Sequence, residues 1–462
     1  MENTSAVTTG STKYDFTPKR QFLYAIGDFG YNFVWTLVSS FLLYFWTDSF
    51  GISAGWAGTI ILVSRLWDAI NDPIVGRWAD NTNTKWGKYR PWIMWSALPL
   101  VAVNILCFTV VPIESQLGKN IWACFIFMVA VLISTMWYVP YTAMLSALTL
   151  DPDKRAGGSS KRLMCAFAAA LLITRFTLPL VDYFGQGNSA RGYLLTALLY
   201  SCIGLVCWSI TFLNTKEIVQ IKVDKISYKE SIKLLARNKY VWVLAMGFFA
   251  YGMMNYGRSG SAVYFFRYVG GNSAMYGTYG IVHFSSAFVG AFLMPKFAKR
   301  AQNKGSVVKY AYLVVAAMMV IQFFLVPDTQ TKFIIFLCVQ VVASIGMGAA
   351  SSMLYGLMPD VVDYTQYIHS ARAGGFISAF VNFCLKLGMA LTVSAVGWIL
   401  AATGYVAGAE QSSTTVMGIR LLFTLIPAVF ALIASIIFFF YKLDKPALGK
   451  MVKEMGLKEV TE

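Results

Sequence analysis

The sequence predicts an all-α membrane protein with twelve transmembrane helices in two pseudo-symmetric six-helix halves. The 462 residues are 57% hydrophobic and only 13% charged, and their mean hydropathy is +0.59. Soluble domains carry about a quarter charged residues, so this composition argues against a soluble enzyme. Apolar runs long enough to cross a bilayer recur along the chain, and the longest polar interruption divides them evenly.

Each apolar segment is predicted to be a helix, because none shows the strict alternation of a membrane strand. The segments cover residues 22–46, 53–79, 91–112, 121–149, 161–184, 192–213, 240–268, 276–296, 307–327, 332–357, 373–402 and 416–441. The first segment is too long for the apolar region of a signal peptide, so we expect it to stay in the membrane. The domains expected are a tail (1–21), a six-helix bundle (22–213), a basic linker (214–239), a second bundle (240–441) and a tail (442–462).

The net charge of +16 arises from 38 Lys and Arg against 22 Asp and Glu. These bases form short clusters between apolar runs, which is not the pattern of a nucleic-acid-binding surface. With the N-terminus in the cytoplasm, most of them lie on the cytoplasmic side, as the positive-inside rule requires. The bases left on the opposite side are Lys119, Arg191, Arg267, Lys332 and Arg420. We therefore expect a multi-pass protein of a bacterial-type inner membrane with both termini cytoplasmic.

No feature indicates a bound cofactor. The seven cysteines lie in apolar segments without the spacing of metal ligands, so we expect them to be packing residues. The chain has no GxxxxGK[ST] phosphate loop, which argues against an ATP-driven pump.

The second segment carries the most informative polar residues. Asp68, Asn71 and Asp72 share one helix face, one turn apart. Two carboxylates this close cannot both stay ionised in a dry site without a cation between them, so the pattern predicts a site for Na+, Li+ or a proton. Pro73 removes a helical hydrogen bond beside it. The alternative is a fixed salt-bridge network in which Arg65 and a second base neutralise the pair.

The first segment has a second polar face, formed by Asp28, Asn32 and Trp35. An acid or amide beside an aromatic ring favours a hydroxyl-rich ligand. Interhelical hydrogen bonding, with Gly27 and Gly30 allowing close approach, explains the same pattern.

Other polar residues lie in later segments. Lys386, one turn after Asn382, is interpreted as functional, because a mid-span lysine can otherwise only extend toward the interface. His283 is interpreted as a packing residue. Further ionisable side chains at membrane depth are Arg162, Arg175, Arg258 and Asp360.

From about Tyr24 to Lys442, the chain resembles the glycoside-pentoside-hexuronide:cation symporters, the melibiose-permease branch of the major facilitator fold. The most specific motifs are Asp68-Ala-Ile-Asn71-Asp72-Pro73, Lys85-Trp86-Gly87-Lys88-Tyr89-Arg90-Pro91-Trp92, and Pro359-Asp360-Val361-Val362-Asp363-Tyr364 followed by Arg372.

The resemblance implies a symporter that imports a sugar or glycoside with Na+ or H+ by alternating access. The implied cation ligands are Asp68, Asn71, Asp72 and Thr135. The implied sugar-binding residues, to which the first-segment pattern adds Asp28, are Asn32, Tyr138, Thr142, Arg162, Asn382 and Lys386.

The chain departs from melibiose permease at the sugar site. Asn32 and Tyr138 stand where that protein has carboxylates, and Thr142 stands where it has a tryptophan. An α-galactoside is therefore not expected. If Arg162 and Lys386 have lost their acidic partners, the substrate should be anionic, such as a hexuronide or a sulfonated sugar; the alternative is that Asp28 neutralises them.

Charges near the cytoplasmic ends are candidates for ion pairs that close the inner face: Asp80, Arg90, Asp360, Asp363 and Arg372. A purely topological role is the alternative for the bases of the first cytoplasmic loop. We expect the protein to work as a monomer. A passive sugar facilitator, which needs no buried acid pair, is the alternative function.

Overall fold

The computed structural model is helical, which confirms the predicted fold class. It describes residues 15–149, 152–218, 238–301, 303–369 and 374–444, and also 446, 451 and 454. Contacts divide the chain into two compact units, Met1–Asp224 and Lys225–Glu462.

The N-terminal unit contains six long helices. They are α1 (Pro18–Phe45), α2 (Ala54–Asn81), α3 (Arg90–Cys107), α4 (Gln116–Leu148), α5 (Pro152–Gly185) and α6 (Ser189–Asn214). A π-helical turn, Trp46–Phe50, follows α1 and ends at Gly51, whose φ of 78° favours glycine.

The C-terminal unit repeats this arrangement with a divided last segment. Its helices are α7 (Lys239–Tyr264), α8 (Ala274–Arg300), α9 (Lys304–Phe324), α10 (Gln330–His369), α11 (Gly374–Ala402), α12 (Ser413–Phe423) and α13 (Leu425–Ile437). A π-helical turn, Phe265–Val269, follows α7 as the corresponding turn follows α1.

Both units use the same packing scheme, as an internal duplication requires. In the N-terminal unit α1 packs on α5 and α6, α4 packs on α2 and α3, and α3 packs on α6. In the C-terminal unit α7 packs on α11 and α13, α10 packs on α8 and α9, and α9 packs on α13.

Nine helical segments within the described ranges are long and apolar enough to cross a membrane. The helices α1, α2 and α7 are not among these nine. Each of the three carries a buried ionisable residue in its middle, namely Asp28, Asp68 or Arg258. Their lower hydropathy therefore marks helices whose polar groups face the protein interior.

Several predicted segment boundaries are wrong. The fourth and fifth segments were predicted to begin at 121 and 161, but α4 and α5 begin at Gln116 and Pro152. The third segment was predicted to reach residue 112, but α3 ends at Cys107, because the β-branched Val110 and Val111 precede Pro112. The tenth was predicted to end at 357, but α10 continues through Pro359 to His369. The twelfth, predicted as one helix, breaks at Thr424, since Pro427 has no N–H to bond the carbonyl of Phe423.

Glycines allow the closest helix contacts. A Cβ on Gly30 of α1 would lie 2.6 Å from Cys207 Cβ of α6, and a Cβ on Gly252 of α7 would lie 2.5 Å from the carbonyl oxygen of Leu385 on α11. Gly30 therefore allows the close helix contact expected of it, and Gly252 allows an equally close contact between α7 and α11.

We predict that Gly252→Ala destabilises the protein by about 1–3 kcal/mol, because the added methyl group meets backbone that cannot move aside. Gly260→Ala on the same helix is the control, since its Cβ would find its nearest atom at 3.7 Å. Thermal unfolding of the purified variants in detergent measures both. Equal unfolding temperatures for the two variants would contradict the prediction.

Candidate functional site

The predicted cation-site residues meet where α2 packs on α4. Asp68, Asn71 and Thr135 are all at most 5% exposed. The Thr135 hydroxyl donates a 3.0 Å hydrogen bond to Asp68 Oδ1, which brings the two helices together at this acid. Asp72, one turn further along α2, is partly buried. The structure thus places carboxylate, amide and hydroxyl oxygens of two helices in one buried region.

Arg65 is the base that lies against the cation site. Its Nη1 is 3.8 Å from Asp68 Oδ2, close to the outer limit of an ion pair. Its guanidinium also lies 4.6 Å from the ring centroid of Trp35 on α1. The Trp35 ring therefore helps to hold the arginine in place. The contact between the arginine and the Asp68 carboxylate is long.

Asn71 shows an unsatisfied polar atom at this place. Its buried Nδ2 has no hydrogen-bond partner within the described part of the chain. Turning the amide by 180° exchanges nitrogen and oxygen without changing the shape of the side chain. In that orientation a buried oxygen is available as a cation ligand, so the residue fits a small cation.

Prolines weaken the backbone bonding of both helices at the same level. Pro73 in α2 and Pro140 in α4 lack an N–H, so the carbonyls of Ala69 and Met136 lose their usual helical donor. Ala69 directly follows Asp68, and Met136 directly follows Thr135. The local sequence therefore adds backbone acceptors to the side-chain oxygens.

The predicted sugar-site residues of the N-terminal unit form around an ion pair. Arg162 Nε on α5 donates a 2.8 Å hydrogen bond to Asp28 Oδ2 on α1, and both side chains are largely buried. Asn32 donates to the backbone oxygen of Asp28 at 2.8 Å and lies 3.4 Å from its Oδ1. Of the two alternatives left open by the sequence, the structure shows Asp28 neutralising Arg162.

Tyrosines surround this arginine. Its guanidinium carbon lies 4.7 Å from the ring centroid of Tyr141, 5.8 Å from that of Tyr24 and 5.9 Å from that of Tyr138. Tyr24 and Tyr141 each donate a hydrogen bond to the other's backbone oxygen, at 2.9 and 2.8 Å. Tyr138, which is 37% exposed, is the accessible member of the set. An aromatic ring beside polar groups is an arrangement that binds sugar rings.

The remaining predicted sugar-site residues occupy less distinctive places. Thr142 on α4 is partly buried and donates to the backbone oxygen of Val139 at 2.9 Å. Asn382 and Lys386 lie one turn apart on α11 of the C-terminal unit, where Asn382 is exposed and Lys386 is partly buried.

Three of the predicted gating residues, Asp80, Arg90 and Asp360, have partners inside their own units. Asp80 accepts a 2.8 Å hydrogen bond from the Tyr89 hydroxyl and lies 3.4 Å from Lys88 Nζ. Arg90 Nε donates to the backbone oxygen of Phe212 at 2.8 Å.

In the C-terminal unit, Asp360 pairs with Lys304 at 2.7 Å, and Asp363 follows it on α10. Arg372 lies outside the described residues. The gating role stays a prediction.

Glu217 is a structural anchor that the sequence did not reveal. Its carboxylate accepts hydrogen bonds from the backbone nitrogens of Lys88, Tyr89 and Arg90, at 2.8, 2.7 and 2.6 Å. These nitrogens lie at the start of α3, where the helix dipole favours a negative charge. The anchor fixes the loop between α2 and α3 to the segment that follows α6. Its two parts are far apart in the sequence, so no local pattern predicts it.

A buried polar network in the C-terminal unit was also missed. Arg258 is 2% exposed and donates to Gln322 at 3.1 Å and to Gln340 at 2.8 Å. His283 stacks on Tyr279, as its packing interpretation requires, and also shares a 2.9 Å hydrogen bond with Ser344. Glutamine and serine are common in many contexts, and only their convergence from α9 and α10 distinguishes this set.

The fold and the two buried polar regions define a membrane transporter. The model of the MFS/sugar transport protein family matches residues 23–445. The chain therefore belongs to this family, within the glycoside-pentoside-hexuronide:cation symporters of the major facilitator superfamily, and it is a sugar transporter and not an enzyme.

Several curated proteins are similar over nearly their whole length. The isoprimeverose transporter of Lactiplantibacillus pentosus is 33% identical, with 96% of this chain and 92% of that protein covered. The inner membrane symporter YicJ of Escherichia coli (strain K12) is 30% identical, with 91% and 90% covered. The glucuronide carrier protein homolog of the same strain is 28% identical, with 94% of both chains covered.

Solved structures support the fold alone. A bacterial homologue of the lysosomal transporter Spinster, in an inward-facing conformation, superposes with a TM-score of 0.66 at 16% identity, covering 96% of this chain and 99% of that chain. A bacterial homologue of ferroportin, in an outward-facing state, gives 0.58 at 12% identity, covering 92% and 98%.

We predict that Asp28→Asn lowers stability by about 3–5 kcal/mol, because Arg162 then stays buried without a charge partner. The double variant Asp28→Asn/Arg162→Gln should recover part of the loss. Asp328→Asn is the control, since its ion pair with Lys332 is about half exposed and its loss should not measurably change stability. Thermal unfolding in detergent tests the series, and an Asp28→Asn variant as stable as the control would refute the structural role of the pair.

Proposed function

We propose that the protein imports an uncharged glycoside together with Na+, using the Asp68 region for the cation and the Asp28–Arg162 region for the sugar. The observation that carries this proposal is the presence of both regions in one unit. Each is buried and each fits its own ligand. Membership of a sugar transport family supports the sugar, and the symporter in the name of a relative supports coupling to an ion.

The argument for a cation rests on charge and depth. Asp68 and Asp72 lie one turn apart on α2, a helix that crosses the bilayer. An ionised acid at that depth costs about 2.5–3.5 kcal/mol on insertion scales. Arg65 Nη1 lies 3.8 Å from Asp68 Oδ2. A monovalent cation between the acids offsets their mutual repulsion.

Na+ is favoured over a proton by the neutral oxygens of the site. A proton needs only one carboxylate, whereas an alkali cation needs several oxygen ligands at once. The Thr135 hydroxyl donates to Asp68 and keeps its lone pairs available for a cation. The Asn71 amide has an unsatisfied end at the same level. Li+ has the same ligand preference, so it should replace Na+.

An uncharged substrate follows from the Asp28–Arg162 pair. The sequence favoured an anionic sugar on the premise that Arg162 and Lys386 had lost their acidic partners, and Asp28 supplies the partner of Arg162 at 2.8 Å. A sugar carboxylate would have to compete with Asp28 for the guanidinium. Hydroxyl groups can instead bond to the unused donors of the pair, with Tyr138 as an aromatic platform.

Transport then follows from linkage between the two sites. If the cation raises the affinity for sugar, the sugar raises the affinity for the cation by the same factor. The downhill entry of the cation drives accumulation of the sugar by alternating access. Function as a monomer and the cytoplasmic location of both termini stay predictions.

We predict that Asp68→Asn and Asp72→Asn each lower Na+-driven sugar accumulation at least about tenfold, because each removes a charged ligand worth roughly 1.5–3 kcal/mol. Sugar counterflow should continue, since it needs no ion gradient. Asp182→Asn, at an exposed acid of α5, is the control and should keep normal accumulation. Uptake in sealed vesicles with and without a Na+ gradient measures this. Full Na+-driven accumulation in both site variants would refute the cation assignment, whereas wild-type uptake that only equilibrates the sugar and is indifferent to Na+ and pH would identify a passive facilitator.

We predict that isoprimeverose, an uncharged disaccharide, is bound at least about tenfold more tightly than a glucuronide of similar size. The reason is that the glucuronide carboxylate must displace Asp28 from Arg162, at a cost of at least about 1.4 kcal/mol. Titration of the purified protein with a panel of neutral glycosides and matching uronides, in Na+, tests this. Consistent preference for the uronides would show that the substrate is anionic.

A further inference from the structure

Tyr31 of α1 lies between the two regions described above. It is buried and stands on the same helix face as Asp28, Asn32 and Trp35, at the spacing of successive turns. Its hydroxyl bonds to Ser134, and its ring stacks on the rings of Trp35, Trp137 and Tyr138.

The hydroxyl leads to the cation region. It shares a 2.7 Å hydrogen bond with Ser134 Oγ on α4. Ser134 directly precedes Thr135, whose hydroxyl donates to Asp68 Oδ1. Any shift of Thr135 toward a bound cation must therefore move the residue that holds the Tyr31 hydroxyl.

The ring leads to the sugar region. It stacks on the Tyr138 ring, with centroids 4.7 Å apart and planes at 27°. The guanidinium of Arg162, which is bonded to Asp28, lies 5.9 Å from the centroid of the Tyr138 ring. A change in the position of Tyr31 is thus transmitted to the exposed aromatic ring beside the ion pair.

A second route joins Tyr31 to the cation region through its own helix. The Trp35 ring is nearly parallel to the Tyr31 ring, with centroids 6.1 Å apart. The Arg65 guanidinium lies over Trp35, and its Nη1 is the group 3.8 Å from Asp68. A cation that competes with Arg65 for Asp68 would shift the Arg65 guanidinium on Trp35, and with it the stack of Trp35 on Tyr31.

Packing alone would explain the rings but not the hydroxyl. Aromatic stacking stabilises a buried cluster whether or not a phenolic oxygen is present. The Tyr31 hydroxyl adds a polar bond between α1 and α4 next to a cation ligand, and this bond can be removed without removing the ring.

We propose that Tyr31 is a positioning residue that couples cation binding to sugar binding through its hydrogen bond to Ser134 and its stack on Tyr138. This inference rests on the proposed function. When the cation draws Thr135 and Ser134 toward Asp68, Tyr31 sets Tyr138 in place for the sugar. Sugar binding acts through the same contacts in the opposite direction and raises the affinity for the cation, as linkage requires.

The test measures sugar affinity of the purified protein by titration calorimetry, with and without Na+. In Tyr31→Phe the ratio of the two dissociation constants should fall at least about threefold toward one, while the Na+-free affinity changes less than about twofold. Ser134→Ala breaks the same bond from the other side and should match it. The double variant should be no worse than either single variant, because the two residues share one interaction.

Tyr200→Phe is the matched control. It also removes a buried hydroxyl from this unit, one that bonds to Thr177 at 3.2 Å, and it should keep the wild-type ratio. Thermal unfolding shows whether each variant is folded. If Tyr31→Phe does not fold, the ratio measured for Ser134→Ala tests the coupling role.

The possible failures are distinguishable. A wild-type ratio that persists in folded Tyr31→Phe and Ser134→Ala overturns the coupling role and leaves the proposed symport intact. An unaltered ratio in Asp68→Asn, or no effect of Na+ or pH on the wild type, overturns both the proposed function and this inference. A loss of Na+-free affinity equal to the loss of coupling would show that Tyr31 only shapes the sugar site.

Discussion

The buried carboxylate of Asp68 is the constraint on which the rest of the N-terminal unit depends. An acid in the middle of a membrane helix must be compensated, and this one is met by a hydroxyl of α4 and, at a longer distance, by an arginine of its own helix. The helix α2, which carries this acid, is not among the nine helical segments of the described ranges that are apolar enough to cross a membrane by composition. The hydrogen bond from Thr135 joins α2 to α4, the helix that also carries Tyr138 and Tyr141.

The second compensated charge explains the character of the sugar region. Arg162 is neutralised by Asp28 inside the protein and enclosed by tyrosine rings, so the region combines zero net charge with directional donors and aromatic faces. The C-terminal unit solves the same problem differently, since Arg258 is held by the amide oxygens of Gln322 and Gln340. An arginine satisfied by neutral groups keeps its charge, whereas the Asp28–Arg162 pair has none to offer a substrate.

The duplicated packing scheme shows how one helix arrangement supports two chemistries. In the N-terminal unit the contact between α2 and α4 carries Asp68 and Thr135. In the C-terminal unit the corresponding contact, between α8 and α10, is closed by Gly290 and Gly348, whose added Cβ atoms would meet the carbonyl oxygens of Ile345 and Ala287. A hydrogen bond joins the two helices in both units, between Thr135 and Asp68 in one and between His283 and Ser344 in the other, and glycines add close approach in the C-terminal unit.

By itself the sequence determined the all-α membrane class, the position of most helices and the identity of the acids on α2, because hydropathy and helical spacing are local properties of the chain. It did not determine that α10 continues through Pro359 or that the twelfth segment breaks before Pro427, since a proline is tolerated or not according to what surrounds the freed carbonyl. Only the tertiary structure showed that Asp28 is the partner of Arg162, that Glu217 anchors the start of α3, and that the Tyr31 hydroxyl reaches Ser134. Each of these contacts joins residues more than 100 positions apart, and such pairings depend on helix packing, which no local pattern records.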